Sequence, residues 1–130
     1  MDRELELVAA ALYLARHDAQ WQGRPYWLLR RCVVPYVAAR QFLLLKRDGL
    51  PIAFAGWARE AAGKAPPWKG DRYLPSAGEI SGDGPACVTE IISPVLPRER
   101  VLEEVGRELG TAPAWIERDA ERRVVAVHGA

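Results

Sequence analysis

Leu5, Val8, Leu12 and Ala15 recur at helical spacing, while Arg3, Glu4 and Glu6 occupy positions that favour water. Asp2 suits the cap of such a helix, so the pattern predicts a first helix ending near residue 15. Segment 17–24 (HDAQWQGR) has no periodicity and reads as a loop. Pro25 suits the first turn of a second helix, where a missing N–H costs nothing. Tyr26, Leu28, Leu29, Cys32 and Val33 give that helix a broad apolar face. Pro35 is expected to end or kink it, because proline removes a donor and clashes with the preceding turn.

The period then changes. Residues 41–46 are rich in Phe and Leu, Asp48-Gly49 is a tight-turn dipeptide, and 51–57 is a second apolar run opened by Pro51. Neither run alternates cleanly, so both faces are expected to be covered, with this hairpin at the centre of a sheet. Residues 60–83 read as one irregular loop, punctuated by Pro66-Pro67, Gly70-Asp71 and Pro75-Ser76 and anchored by Trp68 and Tyr73. A β-branched run at 86–95 predicts a third, central strand. Pro97 opens a helix over 98–109, with Val101, Leu102, Val105 and Leu109 on one face, and Gly110 stops it. Strands at 114–118 and 123–128 complete the order ααβββαββ. That is an α/β mixed sheet with helices packed on both faces, and residues 1–130 make a single domain.

Composition narrows the function classes. The chain is 49% apolar and 27% charged with a formal net charge of +1, so it carries no electrostatic footprint for nucleic acid. No apolar run is long enough to span a membrane, and the charged start (MDRELE) is unlike a signal peptide, which points to the cytoplasm. Cys32 and Cys87 are the two cysteines, without metal-site spacing. Reduced thiols and no metal are expected.

Glu90 interrupts the apolar third strand, and an ionised carboxylate is rarely buried without a partner. His17 is a loop histidine whose ordinary pKa suits a general base, although such a residue is more often simply solvated. His128 stands near the chain end, where a polar residue is ordinary. Cys32 falls on an apolar helix face and reads as a core thiol. Arg98 and Arg100 flank a helix start able to receive a phosphate, against the plainer reading of solvated charge. The five tryptophans read mainly as packing.

The hairpin also carries a resemblance. Arg47-Asp48-Gly49-Leu50-Pro51-Ile52-Ala53-Phe54-Ala55-Gly56-Trp57-Ala58 resembles the RTX toxin-activating lysine acyltransferases in order and spacing. So do Tyr13-Leu14, Pro25, Val33-Val34-Pro35, Gln41-Phe42, Ser81-Gly82-Asp83, Ile92-Ser93-Pro94 and His128-Gly129. The likeness runs over roughly 13–129 and leaves the family's usual C-terminal extension without a counterpart. It implies a fold similar to GNAT N-acyltransferases, and transfer of a fatty acyl group from acyl carrier protein to an internal lysine of a protoxin or other protein. It also implies no bound cofactor and suggests a homodimer. Aligned without gaps, the family's histidine falls on Trp21, its aspartate on Glu90, a serine on Asp18 and an asparagine on Cys32. His17 replaces the histidine if the loop carries a shift, and the sequence leaves that register open. On this resemblance the catalytic pair is His17 and Glu90, with Trp21, Arg98 and Arg100 receiving the acyl chain or its carrier. Arg107 to Ala112 fits the GNAT pyrophosphate pattern, but here it closes a helix, which Gly110 explains as a cap. Two rival readings stand beside this one. One is a degenerate member that binds carrier or partner protein without turnover. The other is a coenzyme A-dependent N-acetyltransferase.

Overall fold

The computed structural model describes residues 3–61 and 75–129. Two helices lead, α1 (Arg3–Ala15) and α2 (Tyr26–Ala39). The hairpin β1 (Phe42–Arg47) and β2 (Leu50–Arg59) follows, then a single helical turn α3 (Ala77–Ile80). Next come β3 (Ala86–Ile92), α4 (Arg98–Leu109), β4 (Ala114–Arg118) and β5 (Val124–His128). The strands lie in the order β1-β2-β3-β4-β5, antiparallel except for β3 and β4, which run parallel across the α4 crossover.

Local chemistry explains most of these boundaries. Asp48 and Gly49 both have positive φ, 52° and 81°, and Arg47 pairs with Leu50, so a two-residue loop fixes the register. Gly110 closes α4 in the left-handed region at φ 78°, donating its N–H to Gly106 O. The glycine of Ser81-Gly82-Asp83 is there for space. Gly82 N–H donates to Arg59 O, and a Cβ at Gly82 would run into the Glu60 carbonyl. Gln41 has an equally local reason, since its Nε2 donates to Trp57 O and Ile80 O, both at 2.8 Å, and ties β2 to α3.

The sheet is covered on both sides. Phe54 and Ala58 of β2 pack with Leu14, Val33 and Val37 of α1 and α2. Ala53, Ala55 and Trp57 pack with Val101 and Val105 of α4. Three expectations need correction. The hairpin is not the sheet centre, because β1 is an edge strand and only half-buried, leaving β2 as the interior member. Pro35 does not end α2, which runs on to Ala39 and stops where Arg40 turns left-handed. The 60–83 loop contains the α3 turn, so the order gains one short helix. Trp68 and Tyr73 lie outside the described residues.

Candidate active site

The central irregularity of the sheet is in β3. Gly56 pairs with Glu90, and Trp57 pairs with Val88, so Thr89 has no partner on β2. This extra residue is a β-bulge, and it breaks the alternation of side chains. Thr89 and Glu90 therefore both turn toward α1 and α2, as the Tyr36 hydroxyl bonded to Thr89 Oγ1 attests. Without the bulge Glu90 would face α4.

Glu90 is 3% exposed and is paired. Arg122 Nη2 donates to Glu90 Oε2 at 2.6 Å, and Arg118 Nη2 lies 4.0 Å from the same oxygen. Arg122 is carried by the β4–β5 turn. Asp119 accepts the backbone N–H groups of Glu121 and Arg123 and pairs with the Arg123 side chain. The Arg123 backbone N–H is the main reason that the Asp119 carboxyl is held below its usual range. The turn leaves Arg122 at φ 65°, a conformation unusual for a residue with a side chain and often kept at functional sites. Its guanidinium then lies 4.1 Å over the Trp21 ring and 3.8 Å from Cys32 Sγ. Burial opposes the Arg122 charge, yet the Glu90 carboxylate raises its pKa overall. Trp21 Nε1 and Arg122 Nη1 are buried without a hydrogen-bond partner among the described residues, a cost of about 1–3 kcal/mol each.

Beside this cluster the sheet opens. β3 and β4 pair only at Cys87–Ala114 and Val88–Trp115, and then diverge. Arg118 Nη2 fills part of the gap by donating to Thr89 O at 3.2 Å. The rest is a polar cleft of about 230 Å³ lined by Glu90, Ile91, Asp18, Arg98, Ile116 and Arg118. Asp18 Oδ2 accepts the Ser93 N–H at 2.9 Å, which pins the α1–α2 loop to the end of β3. Arg98 leans over Trp115 at 4.2 Å, and His128 stacks on the same indole with its Nε2 2.9 Å from Glu117 Oε1.

The residues expected from sequence thus part company. Glu90, Asp18 and Arg98 share the cleft. Trp21 is buried beneath Arg122. His17 is exposed and meets Tyr13 edge-on at 5.6 Å, outside the cleft lining. Arg100 pairs with Glu103 and Glu104 along exposed α4. The resemblance offered no reason to single out Arg118 or Arg122. The available signal was a buried carboxylate that needed a cation, with two arginines flanking the next turn but one.

Cys32 and Cys87 are free and buried. Burial first, then the Glu90 carboxylate, pushes the Cys32 thiol up to about 12, and burial with Glu60 does the same to Cys87. Cys32 is therefore a protonated thiol and no nucleophile. The unfolded chain ionises near the ordinary value of 9.0, so it releases protons before the folded chain does. The thiol contribution to stability is thus full below about pH 9 and is lost as pH rises toward 12. Urea midpoints should fall over that window, and less steeply in Cys32→Ala.

Among the described residues no group of three or more His, Cys, Asp or Glu is placed to hold a metal, and no helix is long and apolar enough to cross a membrane. No family model matches the chain. It is 39% identical over 59 residues to the protein-lysine myristoyltransferase RtxC of Kingella kingae, a stretch covering 45% of this chain and 35% of that protein. It is 53% identical over 34 residues to the RTX-I toxin-activating lysine-acyltransferase ApxIC of Actinobacillus pleuropneumoniae, covering 26% of this chain and 20% of that protein. The matched stretches span about a third and a fifth of these relatives' lengths. Within those limits, the chain is similar in sequence to the RTX toxin-activating lysine acyltransferases.

Proposed function

We propose that this chain is a protein-lysine acyltransferase of the toxin-activating type, working in the cytoplasm with acyl carrier protein as donor. The observation that carries this reading is the bulge that turns Glu90 into the wall of a cleft between diverging parallel strands. Amine acylation needs a route for the ammonium proton and donors for the oxyanion. Glu90 and Asp18 supply carboxylates, and Arg98 and Arg118 supply donors, around one space. That space is smaller than the roughly 300–1,000 Å³ of a typical ligand pocket, so it takes the reacting ends and not a whole fatty chain. His17, next to Asp18 on the α1–α2 loop, is the proposed base and requires that loop to shift inward.

A second reading has its own observation. Where the family resemblance places a histidine, Trp21 is stacked under Arg122, and Arg122 occupies the Glu90 carboxylate. A guanidinium is no general base at neutral pH. This arrangement favours a protein that binds carrier or partner without turnover.

Incubation with acyl carrier proteins bearing different chains, together with a lysine-containing acceptor, separates the two. Intact mass showing the chain leaving one carrier for the acceptor is the expected result, with loss in His17→Ala. Carrier binding with no transfer at any chain length favours the second reading. No binding to any carrier overturns the first reading and leaves of the second only a partner protein other than the carrier.

A further inference from the structure

The outer face of α2 combines exposed aromatic rings with arginines. Leu29, Cys32, Val33, Tyr36 and Val37 are buried, so Trp27, Arg30 and Arg31 fall on the outer side, with Tyr26 exposed at the start of the helix and Val34 half-buried at the edge of the core. Trp27 is 63% exposed and Tyr26 57%. With Arg30, Arg31, Val34 and Pro35 they line an open groove of about 440 Å³, mostly apolar. Neither arginine has a carboxylate within ion-pair distance among the described residues, whereas Arg100, Arg107 and Arg123 all do. The asymmetry extends along the sequence. From Ala19 to Arg47 the chain has Arg24, Arg30, Arg31, Arg40, Lys46 and Arg47, and no Asp or Glu, in a protein of net charge +1.

We propose that this face of α2 docks an acidic protein, whose carboxylates pair with Arg30 and Arg31 while an apolar strip covers Trp27 and Tyr26. Trp, Tyr and Arg are the residue types that dominate binding energy at protein interfaces. Arginine's planar fork suits carboxylates, and Arg30 and Arg31 have no carboxylate partner among the described residues to give up on binding. A lipid surface fits less well. The opposite side of α2 is fixed in the core, so the helix cannot sink into a bilayer as an interfacial helix does. The proposal deepens the acyltransferase reading and rests on it, since the acidic partner is then the carrier that delivers the acyl group.

The test titrates a purified acidic acyl carrier protein, in its phosphopantetheine-bearing form, against the full chain at low and raised salt. The Arg30→Glu/Arg31→Glu double variant and Trp27→Ala should each weaken binding by at least about tenfold, and the wild-type affinity should fall with salt. Arg107→Glu on α4 serves as the control and should leave it unchanged. All these positions are exposed, so far-ultraviolet circular dichroism should confirm an intact fold. Equal affinity in wild type and the α2 variants would overturn the docking face while leaving the acyltransferase reading in place. No carrier binding by any form would overturn both. Binding to phosphatidylglycerol vesicles through the α2 residues, with carrier affinity unaffected, would assign the face to membrane and overturn the proposal. A homodimer abolished by the same variants, again with carrier affinity unaffected, would assign it to self-association and overturn the proposal likewise.

Discussion

Arg122→Met should destabilise the fold by about 3 kcal/mol, the lower end of the 3–5 kcal/mol that breaking a buried ion pair costs. The substitution keeps an apolar stem over Trp21 but leaves Glu90 buried without its near partner. The figure is the lower end because Arg118 remains 4.0 Å away, although two of its donors already serve Thr89 O and Arg122 O. Urea unfolding measures the loss. Adding Glu90→Gln should return part of it, because a neutral amide costs less to bury than an unpaired carboxylate. A double variant as unstable as the sum of the singles would mean that the two side chains do not interact as described. The same logic makes Arg122 a fixture of the site and ties the β4–β5 turn to the bulge in β3.

Gly56→Ala should be nearly as damaging, by about 2–3 kcal/mol. Gly56 lies opposite Glu90 on β2, and a Cβ there would come within 2.5–2.9 Å of three Tyr36 ring atoms. The ring cannot move aside cheaply, being fully buried with its hydroxyl bonded to Thr89 Oγ1 at the bulge. The glycine is thus a matter of space, not of backbone angle. Thermal unfolding should show the loss, and Tyr36→Ala combined with Gly56→Ala should show less than additive damage, because the clash disappears with the ring. If Gly56→Ala matched wild type, the close approach of α2 to the sheet would be wrong.

Features written locally in the chain were legible in the sequence. Asp48-Gly49 made its two-residue turn, Gly110 capped the helix that begins at Arg98, and the β-branched run from Ala86 became the middle strand. Glu90 was legible as an anomaly, a carboxylate in an apolar strand. What surrounds it was not. The bulge at Thr89 depends on the register between β2 and β3, which no local pattern encodes. Arg122 reaches Glu90 because a left-handed residue in the next hairpin aims inward, and in sequence it is one cation among several in a charged turn. Pro35 misled for a related reason. Proline lacks the donor that continues a helix, yet burial of Val33, Tyr36 and Val37 holds α2 together beyond it.

The most direct measurement of the central claim repeats the transfer assay on Glu90→Gln beside wild type. It follows by intact mass the rate at which the acyl chain that wild type transfers leaves its carrier protein, with folding confirmed by circular dichroism. The account predicts transfer by wild type and a fall of about a hundredfold or more in Glu90→Gln, the usual weight of a group that positions or moves a proton. A folded Glu90→Gln protein that transfers at the wild-type rate would contradict it, and would place the chemistry elsewhere than the cleft between β3 and β4.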